Sequence, residues 1–269
     1  MRKKLSILSL ILIFVLMFSA CGKSKEKSTA DNSKETLKVL TYANWNPFEY
    51  LNKGKIVGFD IDIIKAIAEK EGYNYEIKNV SWNEMFTQLK NNGADLGISG
   101  ITITDARKQT YDFSDPYFVS RQSIVVKDGS QIKSGTDLTL GKQIAVQSGS
   151  TGQDAVEKIL GQNNSKIKKV QNGLTYMELM HGDADAVVGD DTSNKEFLFN
   201  NPKSGLKVIE DKKAFSPEYF GIMYPKKSKL RTEFNKALGK LYDDGTFTKI
   251  YKKWFKVAPD IKELKAQLK

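Results

Sequence analysis

The sequence is short of the residues that most enzymes use for covalent and metal chemistry. It holds one cysteine (Cys21) and one histidine (His181) in 269 residues. A single cysteine excludes an intramolecular disulfide. His181 stands between Met180 and Gly182 near a predicted helix end, far in pattern from any loop that could form a site. No G-x-S-x-G, Cys/His pair or cluster with metal-ligand spacing occurs, so no catalytic residue, cofactor or metal is expected. Beyond Cys21 no segment is long and apolar enough to span a membrane, which takes roughly 20 apolar residues. No repeat with a period of 20–50 residues is evident. The net charge of +10 invites a nucleic-acid reading, but the lysines are dispersed among acids instead of gathered in a stripe. A solvated basic surface accounts for them, and no nucleic-acid partner is expected.

The N-terminus reads as a targeting signal. Arg2, Lys3 and Lys4 precede an apolar run from Leu5 to Phe18, followed by Ser19, Ala20, Cys21 and Gly22. A basic start, a short apolar core and small residues before a break define a secretory signal. Cys21 sits where a lipobox places the cysteine that is acylated, with Phe18 a less usual residue three positions earlier. Residues 1–20 are thus expected to be a lipoprotein signal peptide. Residues 21–35, polar, charged and free of aromatics, are expected to form a flexible tether.

From Leu37 onward, strand-like and helix-like segments alternate, as an α/β fold requires. Leu37 to Thr41 and Ile56-Val57 read as strands. Asp60 reads as the cap of a helix whose Ile63, Ile64, Ile67 and Ala68 share one face, ended by Gly72. Ser81 to Glu84 reads as a capping box opening a helix with Met85, Phe86 and Leu89 inward. After the strand Leu96 to Ile98 the rhythm restarts. Gln143 to Val146 is a strand, Ser148 to Gly152 a loop, Asp154 to Leu160 a helix, and Ala186 to Val188 a strand ending at Asp190. Two such systems in about 230 residues argue for two lobes.

The segment Ser99 to Phe118 carries the chemistry. A strand enters a Ser/Gly/Thr turn, and Thr104-Asp105 reads as a helix cap. Such a junction offers unpaired backbone N–H groups that favour an anion. Arg107 falls in the first helical turn, where its guanidinium can meet a carboxylate through two parallel hydrogen bonds. With the Thr102 hydroxyl, this makes a receptor for a small carboxylate. A lone arginine is otherwise a solvated helix residue.

Four blocks together resemble the polar amino-acid family of bacterial extracellular solute-binding proteins, which serve ATP-driven (ABC) importers. They are Asn46 to Tyr50, Gly58 to Ile63, Ser99 to Phe118, and Tyr219 to Pro225 with Asp244 to Phe255. The resemblance covers Thr36 to Phe255, with Glu71 departing at a usually apolar packing position. It implies a type II periplasmic-binding-protein fold, two α/β lobes joined by two crossover strands. Lobe 1 is then residues 36–118 plus 220–269 and lobe 2 residues 119–219, with crossovers near 119–122 and 217–220. It implies a monomer that binds a polar amino acid, partners a permease and an ATPase, and is held by lipid on Cys21 at the outer face of the cytoplasmic membrane of a Gram-positive-type envelope.

The resemblance also assigns roles. Arg107 pairs with the ligand carboxylate, Thr102 offers hydroxyl and backbone N–H, and Gly100 a carbonyl for the ammonium. Ser150 and Thr151 form a second donor nest, and Asp190 takes the ammonium. Trp45 and Trp82 sandwich the ligand side chain. Tyr42 and Gln147 stand where relatives place side-chain readers, and here they leave the ligand's identity open. A surface adhesin or a sensor-type protein would present the same cleft, and a dehydratase-like enzyme shares the fold.

Overall fold

The computed structural model describes residues 34–171 and 173–267. The expected signal peptide, Cys21 and all of the tether up to residue 33 lie outside them. Among the described residues no helix is long and apolar enough to cross a membrane.

Two five-stranded sheets organise the chain. In the first, β1 (Lys34–Thr41) pairs in parallel with β5 (Tyr73–Asn79) and β6 (Leu96–Gly97), and β15 (Met223–Pro225) joins β6 and β7 (Tyr111–Phe113) antiparallel. A small antiparallel sheet of β2 (Asn44–Trp45), β3 (Glu49–Asn52) and β4 (Lys55–Val57) follows β1. The second large sheet runs β11 (Ile167–Val170), β10 (Ile144–Gln147), β12 (Ala186–Asp190), β9 (Gln122–Lys127), β13 (Leu206–Ile209), parallel in its first three strands and antiparallel thereafter. Between the sheets, β8 (Phe118–Ser120) and β14 (Glu218–Phe220) pair antiparallel as the two crossover strands.

The central strands β9 and β10 are buried on both faces and read as continuous apolar runs, whereas the edge strand β5 alternates apolar and polar residues. In β1, Leu37 and Val39 enter one core and Leu40 the other. In the second sheet Val146 and Val188 point to one side, Ala145 and Val187 to the other. Burying each such valine or leucine contributes about 1.5–3 kcal/mol.

Helix α1 (Phe59–Glu71) lays Phe59, Ile63, Ile64 and Ile67 on the first core and ends at Gly72 in a left-handed conformation, as its sequence predicts. Its start corrects the sequence expectation. The cap position is Gly58, not Asp60, and Asp60 lies fully buried in the first turn. An acid at the cap and an acid one turn into a helix look alike in sequence; the tertiary partners Gly100 and Tyr117 decide between them. Glu71, the departure noted above, pairs with Lys240 at 3.2 Å on the returning helix α7 (Leu230–Asp243). Helix α8 (Thr246–Phe255) follows the expected break, with Phe247 inward.

Candidate functional site

The loops that follow the carboxyl ends of β1, β6, β10 and β12 meet in one cavity of about 60 Å³, suited to a small polar solute. All ten residues singled out from the sequence line it: Trp45, Trp82, Gly100, Thr102 and Arg107 from the first sheet's side, Ser150, Thr151 and Asp190 from the second's, with Tyr42 and Gln147 beside them. Placement at the carboxyl ends of parallel strands is the general position for ligands in open α/β sheets.

Arg107 reaches the cavity because Thr104 caps helix α3 (Asp105–Thr110), its hydroxyl accepting from the Arg107 N–H at 3.1 Å. Its guanidinium donates to Thr102 O at 2.8 Å and, across the cleft, to Gly149 O at 3.1 Å. It lies 5.6 Å from the centroid of Trp82 and 5.3 Å from that of Phe86, so the aromatic faces hold the cation in place. Among the described residues it forms no ion pair. Burial pulls its pKa down, and Asp154, Glu218 and Asp190 act against that shift. Trp82 therefore touches the cavity partly as a platform for Arg107.

Gly100 is a glycine because the chain turns there at φ +54° and Trp45 covers it. A Cβ would fall 1.8 Å from Trp45 Cζ3. Trp45 stacks on Phe48 at 4.3 Å and donates its indole N–H across the cleft to Ser193 Oγ. Asn46 Nδ2 reaches Glu196 Oε1 at 3.0 Å in the same sense.

On the opposite wall, α4 (Thr151–Leu160) begins three residues earlier than the periodicity suggests, with Ser150 as its cap. The Ser150 hydroxyl accepts from Gln153 N at 3.2 Å and donates to Gln147 O at 2.8 Å. Its proton is thus committed inside the loop, so the donors this loop can offer to the cavity are its backbone N–H groups. Asp190 ends β12, accepting from Ser120 Oγ at 2.9 Å. Burial first, and the charge of Glu218 second, push its carboxyl up to about 7.

The sequence reading missed three groups. Asn194, fully buried on α6 (Asp191–Asn200), binds Gly189 O and Ser123 O and fixes the strand end that carries Asp190. Glu218 accepts from Thr102 and Thr151 at the crossover. Behind Gly100 lies a buried acid pair. Glu49 Oε1 takes Ser99 Oγ at 2.7 Å, and Asp60 Oδ2 takes Gly100 N at 2.8 Å and Tyr117 Oη at 2.9 Å. Burial and the neighbouring Asp60 charge raise Glu49 well above the usual carboxylate range. Only long-range contacts give these residues their roles, and no local spacing marks them.

Residues 37–257 match the family model for bacterial extracellular solute-binding proteins, family 3. A probable histidine-binding protein of Neisseria gonorrhoeae is 37% identical over 89% of this chain and 91% of its own. The arginine-binding extracellular protein ArtP of Bacillus subtilis is 34% identical over 94% of this chain and 98% of its own. The crystal structure of the arginine-, lysine-, histidine-binding protein ArtJ of Geobacillus stearothermophilus superposes with a TM-score of 0.83 at 47% identity, covering 86% of this chain and 99% of that one. Strand order, crossover pair and relatives agree on a type II periplasmic amino-acid-binding fold, and the chain belongs to the bacterial extracellular solute-binding proteins, family 3.

Proposed function

We propose that this protein captures a polar L-amino acid between its two lobes and delivers it to an ABC importer. One observation carries the reading: a cation and an anion, Arg107 and Asp190, line the same small cavity from opposite walls. That arrangement complements a zwitterion. The ligand carboxylate would take the guanidinium fork, and the ammonium would take Asp190 with the Gly100 carbonyl. The side chain would lie against Trp45 and Trp82 and extend past Tyr42 and Gln147. There a neighbouring cavity of about 100 Å³, lined also by Ser81, Asn83, Ser148 and Gln171, offers polar partners to a long side chain. The names of the relatives, which bind arginine, histidine and glutamine, support ligands of that shape.

In this reading residues 36–118 with 220–269 move against residues 119–219, and the crossovers near 119–122 and 217–220 absorb the motion. The ligand touches both walls and so favours the closed state. A lipid on Cys21 would hold the protein at the outer face of the cytoplasmic membrane; Cys21→Ser should then free it into the medium or leave the signal uncleaved.

Thermal-shift screening of the twenty amino acids and cystine, followed by calorimetry, tests the function. We expect saturable one-to-one binding of a polar amino acid that is recovered chemically unchanged. Indifference to the whole panel refutes the proposal, and recovery of a converted product points to an enzyme instead.

A further inference from the structure

Glu218 stands at the crossover with three donors converging on a single oxygen. Thr151 Oγ1 lies 2.6 Å, Thr102 Oγ1 3.0 Å and Gln122 Nε2 3.2 Å from its Oε2. An ionised carboxylate only accepts hydrogen bonds, and each threonine hydroxyl has one proton to give. The Thr102 and Thr151 protons are therefore spent on Glu218. The two hydroxyl oxygens lie 3.4 Å apart, and Thr151 Oγ1 also accepts from Gln122 Nε2 at 3.2 Å. Both threonines line the cavity, Thr102 with its lone pairs uncommitted to any of these bonds. We infer that Glu218 sets the hydrogen-bonding polarity of the cleft floor, holding Thr102 and Thr151 as acceptors so that the floor selects an α-ammonium over an acid lacking it.

This deepens the amino-acid-capture reading and rests on it. It also reverses the sequence expectation that the Thr102 hydroxyl donates to the ligand carboxylate. The carboxylate is left to Arg107 and backbone N–H groups, whereas Thr102 joins Asp190 and the Gly100 carbonyl at the ammonium. Gln122 ties the two acids together, since its Nε2 also reaches Asp190 Oδ1 at 3.4 Å. Glu218 is a positioning residue here, acting on the ligand through the threonines.

Glu218→Gln tests the inference, because an amide can donate to the threonines and release their protons toward the ligand. Affinities are measured by calorimetric competition for L-arginine, L-histidine and L-glutamine. Their des-amino counterparts, 5-guanidinopentanoate, 3-(imidazol-4-yl)propanoate and glutaramate, are measured alongside. The variant should bind the recognised amino acid about tenfold or more weakly, the scale of one lost hydrogen bond to a charged group. Its affinity for the des-amino acid should stay within about twofold of wild type. Equal losses for both ligands would mean that Glu218 only bridges the lobes, and an unchanged amino-acid affinity would remove any role. Should the des-amino acid compete too weakly to measure, Glu218→Gln is repeated in a Thr102→Val background. There it should cost at most about twofold more, and fully multiplicative losses overturn the inference. Wild-type protein that binds none of the three amino acids overturns it at its premise, and separates that failure from a failure of Glu218 alone.

Discussion

If Asp190 takes the ligand ammonium as proposed, amino-acid binding should be a proton-releasing event. Its carboxyl has an ordinary value of 3.8 and is pushed up to about 7, first by burial and then by the nearby Glu218 charge. The Ser120 hydrogen bond and Arg107 oppose the shift without cancelling it. Only the ionised form pairs with an ammonium, so a ligand must expel the proton it finds. With a midpoint of about 7, about nine-tenths of the protein carries that proton at pH 6 and about one-tenth at pH 8. Binding should release close to one proton at pH 6 and almost none at pH 8. The association constant should climb about tenfold per unit below pH 7 and level off above it. The raised group also has a stability sign. Between about pH 4 and 7 the folded state holds a proton that the unfolded state has lost. Its contribution is thus fully present at low pH and lost as pH rises through 7. Calorimetry with L-arginine or L-glutamine in buffers of different ionisation enthalpy counts the protons directly. No proton release at pH 6, or the same release from Asp190→Asn, would refute the reasoning.

Arg107→Ala should weaken amino-acid binding by about 2–4 kcal/mol, because a desolvated carboxylate loses its partner, and Arg107→Lys should recover only part of this; calorimetry near wild type for the alanine variant would return Arg107 to a structural role. Gly100→Ala places a Cβ 1.8 Å from Trp45 at a positive φ. It should cost at least about 1–2 kcal/mol from backbone strain alone and displace the indole, lowering both melting temperature and affinity; unchanged values would contradict the geometry. Saturating ligand should reduce the radius of gyration in small-angle scattering, and no change would remove the hinge motion while leaving binding intact.

The parts of the site that were legible in the sequence are those whose chemistry is local. Thr104 and Arg107 are three residues apart, so cap, helix and guanidinium could be placed together from spacing. The restart of the strand–helix rhythm likewise announced two sheets before any pairing was known. Asp60 shows the limit, since only Gly100 and Tyr117, forty and fifty-seven residues away, distinguish a buried acid from a helix cap. Glu218 lay inside the expected crossover, yet its meaning depends on Thr102 and Thr151, brought to it from the two walls. Ser150 lines the cavity as its helix-start pattern suggested, but where its hydroxyl proton goes depends on Gln147 and could be read only from the fold.

The junction of each cavity loop with a buried strand has an evolutionary consequence. Val39, Leu40 and Val146 point into the cores, whereas Tyr42 and Gln147, one to three residues further along, line the cavity. On the proposed function, exchanging those loop residues should change which side chain is recognised while leaving the hydrophobic layers and the proposed Arg107–Asp190 clamp in place. Such a scaffold can diversify its cargo by few substitutions while its foldability stays constant, because the positions that vary and the positions that hold the fold are different residues.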